Sequence, residues 1–168
     1  MHIGKKISNL LVVIAFLAVA IIMFLIVILR ITTFHIVGHS MNPTLYEDEL
    51  VLSIPKKNYE RGDIIAFDMD GTTAIKRVIG VPGDKVFIAD DGTVSVNGTP
   101  LNEPYIQSKA KGQVEVVNPY QVIKGEYFVL GDNRADSKDS RLLKVGGIKE
   151  DRIRGKIVAS ISKFKILK

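Results

Sequence analysis

The chain begins polar and then turns apolar without a break: from Leu10 to Leu29 run 20 residues, LLVVIAFLAVAIIMFLIVIL, with no polar position among them. At 1.5 Å per residue, a helix of that length covers about 30 Å, the hydrocarbon thickness of a bilayer. The pattern predicts a transmembrane helix at 10–29. A cleaved secretory signal has a shorter apolar core of about 7–15 residues, followed by a small-x-small site. Ala18-Val19-Ala20 has that form, but Ile21-Ile22-Met23-Phe24-Leu25 follows it, which places it inside the span. An uncleaved anchor is therefore expected. Lys5 and Lys6 precede the span and Arg30 follows it. The positive-inside tendency then makes 1–9 a short cytoplasmic N-terminus and puts 30–168 on the outer face of the cell membrane.

After Arg30 the period changes. Short apolar runs are broken by Gly, Pro, Asn and Asp, and predict strands at 33–37, 50–54, 64–68, 73–79, 85–89, 93–96, 126–130 and 153–164. Turn signals separate them: Asn42-Pro43, Arg61-Gly62-Asp63, Asp70-Gly71, Pro82-Gly83-Asp84, Asp91-Gly92 and Asn97-Gly98. The Asp91-Gly92 and Asn97-Gly98 pairs are hairpin dipeptides. Many short strands with frequent turns predict an all-β barrel or sandwich, so the chain reads as mainly β with one N-terminal helix. Residues 102–125 are polar and irregular and give no element.

Charge changes the picture only at the ends. Of 23 basic residues three lie in 1–30, leaving 20 against 18 acids in the remainder. Nucleic-acid binding needs a clustered basic face, and the middle of the chain has none, so no nucleic-acid partner is expected. Eight of the last 25 residues are Lys or Arg against Glu150 and Asp151, a solvated surface that would also suit anionic lipid heads. The chain has no cysteine and three histidines without HExxH spacing, so neither a disulfide framework nor a metal site is expected.

Three segments carry candidate chemistry. In Gly38-His39-Ser40-Met41-Asn42-Pro43-Thr44-Leu45 a serine sits on a bend, where an accessible hydroxyl and free backbone N–H groups suit acyl transfer. Taken alone, a serine at a turn is usually a turn residue. In Ala74-Ile75-Lys76-Arg77-Val78-Ile79 two bases interrupt an apolar run; on a strand they face opposite ways, one inward and one to solvent. A buried ammonium is costly, so its pKa falls and it becomes an amine able to take a proton from serine. Taken alone, such a lysine is more often an edge-strand guard. Gly131-Asp132-Asn133-Arg134-Ala135-Asp136-Ser137-Lys138-Asp139-Ser140-Arg141 follows an apolar strand with three acids and three bases in eleven residues, dense enough for an ordered ion-pair network.

GHSMNPTL, RGDIIAF, IKRVIGVPGD and GDNRADSKDSR, in that order behind an N-terminal anchor, resemble the type I signal peptidases over residues 5–160. The resemblance implies a signal-peptidase-like all-β catalytic domain and a serine protease with a Ser/Lys dyad. It puts the nucleophile at Ser40, the general base at Lys76, a lysine-orienting hydroxyl at Ser137, and structural ion pairs at Arg77 with Asp132 and Asp139 with Arg141. It implies no cofactor. It also implies shallow substrate pockets formed by Phe34, Ile36, Met41, Leu45, Val51, Ala66 and Ile75, which would accept Ala-x-Ala before the cut. The implied partners are exported preproteins, membrane lipid and a nearby secretion translocon. One position departs from the pattern. Some members carry a serine two residues before the nucleophile as an oxyanion donor, and here Gly38 stands there, leaving the second donor unassigned.

Overall fold

The computed structural model describes residues 2–28 and 31–167, with helical side chains at 11–25, 27 and 28. The chain divides into two compact units, the second being Thr33–Lys168. The first is built on helix α1, His2–Ile28, which no Gly or Pro interrupts beyond Gly4 and whose described side chains are all exposed. Among the described residues no helical stretch is long and apolar enough to cross a membrane. The expected span at 10–29 reaches past them, so its ends lie outside the described side chains.

The second unit is β. In chain order its strands are β1 (Thr32–His35), β2 (Leu50–Ile54), β3 (Ile64–Met69), β4 (Thr72–Gly80), β5 (Lys85–Ile88), β6 (Val94–Val96), β7 (Thr99–Pro100), β8 (Tyr120–Gln121), β9 (Glu126–Leu130), β10 (Ile148–Lys149), β11 (Ile153–Ser160) and β12 (Lys165–Ile166). The larger sheet has the order β1-β2-β11-β3-β4-β9-β10, with β12 on β11; the smaller has the order β7-β6-β5-β8. The described pairings are antiparallel. Strands β3 and β4 form the central hairpin, with Ile65 opposite Lys76 and Ile64 opposite Arg77. Asp70 and Gly71 close it at φ 50° and 79°, the paired positive values of a tight hairpin turn whose twist matches the strands. Asn97-Gly98 closes β6 to β7 in the same way, at φ 53° and 81°. At Asp91-Gly92 only the glycine is left-handed, and the Gly92 N–H bonds to the Ala89 carbonyl at 2.9 Å, so this dipeptide belongs to a longer turn.

Two expectations change. The strand expected over 153–164 ends at Ser160. A turn closed from the Phe164 N–H to the Ile161 carbonyl folds β12 back onto β11 and delivers Leu167 into the core. The uncalled region 102–125 contains β8 and covers charged side chains of the larger sheet, a job that leaves no periodic apolar signature.

Three apolar clusters fill the unit. One gathers Ile36, Met41, Leu45, Val51, Ile64, Ala66, Ile75, Ile157 and Leu167. A second lies between β3, β4 and β9 around Phe67, Val78 and Val129. A third joins the two sheets through Ile79, Val86, Val122 and Phe128. Each large side chain buried here stabilises the fold by about 1.5–3 kcal/mol. The first cluster matters most for chemistry, because it takes Met41 and Leu45 from one side of the candidate serine and Ile36 from the other.

Candidate active site

The serine segment is fixed by its neighbours. Met41 and Leu45 are essentially inaccessible, and the Leu45 N–H closes a turn on the Met41 carbonyl at 3.0 Å. On the other side Ile36 is tied to the stretch before β2, its N–H to the Glu49 carbonyl at 2.9 Å and its carbonyl to the Asp48 N–H at 3.0 Å. The chain then reverses at Gly38, φ 79°, whose N–H donates to Glu47 Oε1 at 3.0 Å. Ser40 is held half-buried between these two anchors. His39 lies 3.6 Å from a Glu47 carboxylate oxygen.

Lys76 reaches the same point from β4. Its Nζ lies 2.8 Å from Ser40 Oγ and donates to the Ile75 carbonyl at 2.9 Å. Burial pulls its ammonium down from 10.5 to about 8, against the opposing pull of Asp139, Asp132 and Asp136. Desolvation wins because no carboxylate bonds to the amine and the site is apolar. Arg77, next along the strand, points to the opposite face. It is not solvated as the pattern suggested, because Tyr105 from the 102–125 region lies over its guanidinium, 4.0 Å from ring centroid to carbon.

The charged loop after β9 forms a network. Arg77 makes two bonds to Asp132, at 2.8 and 2.6 Å, and a third to the Gly62 carbonyl at 2.8 Å. Arg141 makes two bonds to Asp139, at 2.8 and 2.9 Å. Asp139 also accepts the Gly131 N–H at 3.0 Å. Arg134 is bonded to Glu103, tying in the 102–125 region. Fully desolvated pairs of this kind stabilise little net, but they are costly to break on one side. Here they fix the backbone at 131–133 against Ser40. A Cβ on Gly131 would lie 2.5 Å from the Ser40 carbonyl oxygen and closer still to Ser137 Oγ, so only glycine fits. Ser137 Oγ is buried there without a hydrogen-bond partner, and the Lys76 amine bonds to Ser40 and Ile75 rather than to it.

A cleft of about 440 Å³ opens beside the two side chains. Residues 35–37, Ser40, Met41, Met69 and 72–76 line it. Of the residues expected to line a pocket, Ile36, Met41 and Ile75 do so. Leu45, Val51 and Ala66 are fully buried in the first cluster, and Phe34 packs against that cluster, so these four do not line the cleft. Val37, Met69, Thr72, Thr73 and Ala74 line it without having been singled out. Val37 is 87% exposed, an apolar side chain left in the open two residues before the nucleophile's neighbour His39. No group of side chains suited to holding a metal occurs among the described residues.

A serine hydroxyl within hydrogen-bond reach of a buried lysine amine, beside an open cleft, is an arrangement that suits a serine hydrolase. The sequence matches the signal peptidase family, peptidase S26, across residues 8–162. It is 39% identical over 157 residues to a signal peptidase IB of Staphylococcus aureus, covering 82% of this chain and 81% of that one. It is 41% identical over 131 residues to a signal peptidase I of Bacillus amyloliquefaciens, covering 70% and 67%. A crystal structure of a signal peptidase I from Enterococcus faecalis matches at TM-score 0.48 and 35% identity, covering 60% of this chain and 97% of that one. The chain belongs to the signal peptidase family, peptidase S26, and is a serine protease of the hydrolase class that removes signal peptides.

Proposed function

We propose that the chain is a membrane-anchored signal peptidase that cuts exported preproteins after Ala-x-Ala, with Ser40 as nucleophile and Lys76 as general base. The observation that carries this reading is the 2.8 Å approach of the Lys76 amine to Ser40 Oγ in a site where burial favours the neutral amine. The substrate lies extended in the cleft, adding a strand between 35–37 and 72–76. Neutral Lys76 takes the Ser40 proton as Oγ attacks the carbonyl. The oxyanion forms against the Ser40 N–H, which has no acceptor among the described residues. The Gly38 N–H is already bonded to Glu47. Lys76 next protonates the leaving amine, the bond to carbon breaks, and water hydrolyses the acyl-enzyme with Lys76 again as base. Ser137, buried and unpartnered beside Ser40, is the hydroxyl available to receive an Nζ–H as the amine turns.

The apolar series at 10–29 serves as an uncleaved anchor, with 1–9 cytoplasmic and the β unit outside. It holds the enzyme where a translocated signal helix emerges, next to membrane lipid and the secretion translocon. The cleft walls near Ile36 and Ile75 are shallow and apolar, which suits alanine at the residue before the cut and at the third before it.

The test is incubation of a preprotein bearing an Ala-x-Ala site, in detergent or lipid, with wild type, Ser40→Ala and Lys76→Ala. Mature-sized product from wild type alone supports the reading. Activity retained by Lys76→Ala but not Ser40→Ala assigns the base elsewhere, and no cleavage by folded wild type rejects the substrate class.

A further inference from the structure

Beside Ser40 the Gly38 N–H is taken up by Glu47, whereas the Ser40 N–H has no acceptor among the described residues, and what aims it is visible in the peptide plane it shares with His39. The His39–Ser40 bond is trans, since the cis bonds lie at Asn42-Pro43 and Asn118-Pro119. In a trans peptide the N–H points opposite to the C=O of the same plane. Fixing the His39 carbonyl therefore fixes the Ser40 N–H. Two donors hold that carbonyl: the Asn42 N–H at 3.1 Å and Asn133 Nδ2 at 3.2 Å. The orientation of the Asn133 amide follows from chemistry, because a carbonyl oxygen only accepts and so must meet the NH₂ end. Asn133 also holds the other side of the serine, its backbone N–H donating to the Ser40 carbonyl at 3.0 Å. One residue thus grips both carbonyls that bracket the Ser40 N–H. It stands in the backbone stretch locked by Arg77–Asp132 and by Gly131 on Asp139.

We propose that Asn133 is the positioning residue of the oxyanion hole, setting the direction of the Ser40 N–H through its side-chain bond to the His39 carbonyl. This rests on the Ser40/Lys76 reading above. The side chain touches neither substrate nor the reacting atoms, so its effect is confined to the transition state, where the oxyanion exists. Loss of an oxyanion donor outright lowers kcat by about 10²–10³-fold, and loosening one should lower it by about 10–100-fold.

Asn133→Ala and Asn133→Asp are compared with wild type on an Ala-x-Ala preprotein. Two ligands are compared as well: a peptide aldehyde ending at that site, whose adduct with Ser40 places an oxygen anion in the hole, and the matching peptide alcohol, which cannot be attacked. The expected result is a fall in kcat with KM little changed, and aldehyde affinity reduced by the same factor as kcat. Alcohol affinity should stay unchanged in both variants, and the pH of the acid limb in Asn133→Ala, which adds no charge near Lys76. Asp keeps the shape of Asn but has no N–H at that position, so it should fall at least as far as Ala. It carries the test if Asn133→Ala is unfolded. Unchanged kcat in Asn133→Asp, or a fall in kcat without a matching loss of aldehyde affinity, overturns the proposal. Wild type that neither cleaves the preprotein nor forms the aldehyde adduct at Ser40 overturns the catalytic reading itself.

Discussion

Replacing Lys76 by methionine should remove activity and yet stabilise the folded protein at neutral pH. Folding takes the ammonium from water, where it titrates at 10.5, to a site where it titrates at about 8. That gap corresponds to about 3 kcal/mol of penalty on the charged form. The sign follows from proton binding. Between about 8 and 10.5 the unfolded chain holds a proton that the folded one has released, so stability rises with pH through that window. Below it both states are protonated and the full penalty applies; above it the penalty is gone. Methionine is similar in length, unbranched and uncharged, and removes the titration. It also leaves the Ile75 carbonyl without its 2.9 Å partner, a loss of about 1–2 kcal/mol. The net expectation is a gain of about 2 kcal/mol at pH 6–7, declining to a loss of about 1 kcal/mol above pH 10.5. At roughly 3 °C per kcal/mol this is a rise of about 6 °C in melting temperature at neutral pH. Urea or thermal unfolding of the full chain in detergent, at pH 6 and pH 10.5, measures both ends. Equal destabilisation of Lys76→Met at both pH values would refute the argument, because the lysine would then carry its charge in the folded state without penalty.

With Lys76 required neutral, kcat/KM should rise about tenfold per pH unit below about 8 and level off above it, read from initial rates on a peptide substrate. Asp132→Ala leaves the Arg77 guanidinium buried without its carboxylate and should destabilise the protein by about 3–5 kcal/mol in urea unfolding, a larger cost than most surface changes. Gly131→Ala forces a methyl into the space between the Ser40 carbonyl and Ser137 Oγ. Cleavage rate should fall by at least tenfold, with a lowered melting temperature, while Gly98→Ala, where the added carbon meets nothing but φ is positive, should cost only about 1 kcal/mol of stability and no activity.

The β unit was legible because its core strands carry the period-two and run-of-apolar signals directly: Ile64–Phe67, Ile75–Ile79 and Tyr127–Leu130 all sit where the pattern put them. Strand β11 was overextended because Ile157, Ala159 and Ile161 carry the apolar alternation into a turn that contains neither Gly nor Pro; Phe164 takes the positive φ there instead. The cleft lining was misjudged for a related reason. Leu45, Val51 and Ala66 are near Ser40 in sequence or by strand pairing, but apolar character does not distinguish a side chain in the core from one at its surface. The burial of Arg77 depended on Tyr105, nearly thirty residues away in a segment without periodicity, and only tertiary structure supplies that contact. Asn133 was invisible as a candidate because its role runs through a neighbour's carbonyl, which no residue type announces.

The larger sheet has two unused edges near the candidate serine: β1 ends the strand order, and β4 pairs with β9 only from Arg77 onward, leaving 72–76 open on that side. Both edges face the same cleft. Through β2, β11 and β3 the two edges belong to one continuous run of strands, so an extended peptide that paired with both would close that run into a ring. Recognition of that kind reads the main chain first, and side chains only where a small residue must pass. Closure would also be felt far from the cut, because completing a ring restrains every strand in it. Amide exchange in β1 and β4 should slow together when a non-cleavable peptide binds, and the otherwise exposed pairing groups of both edges would be satisfied by the same strand.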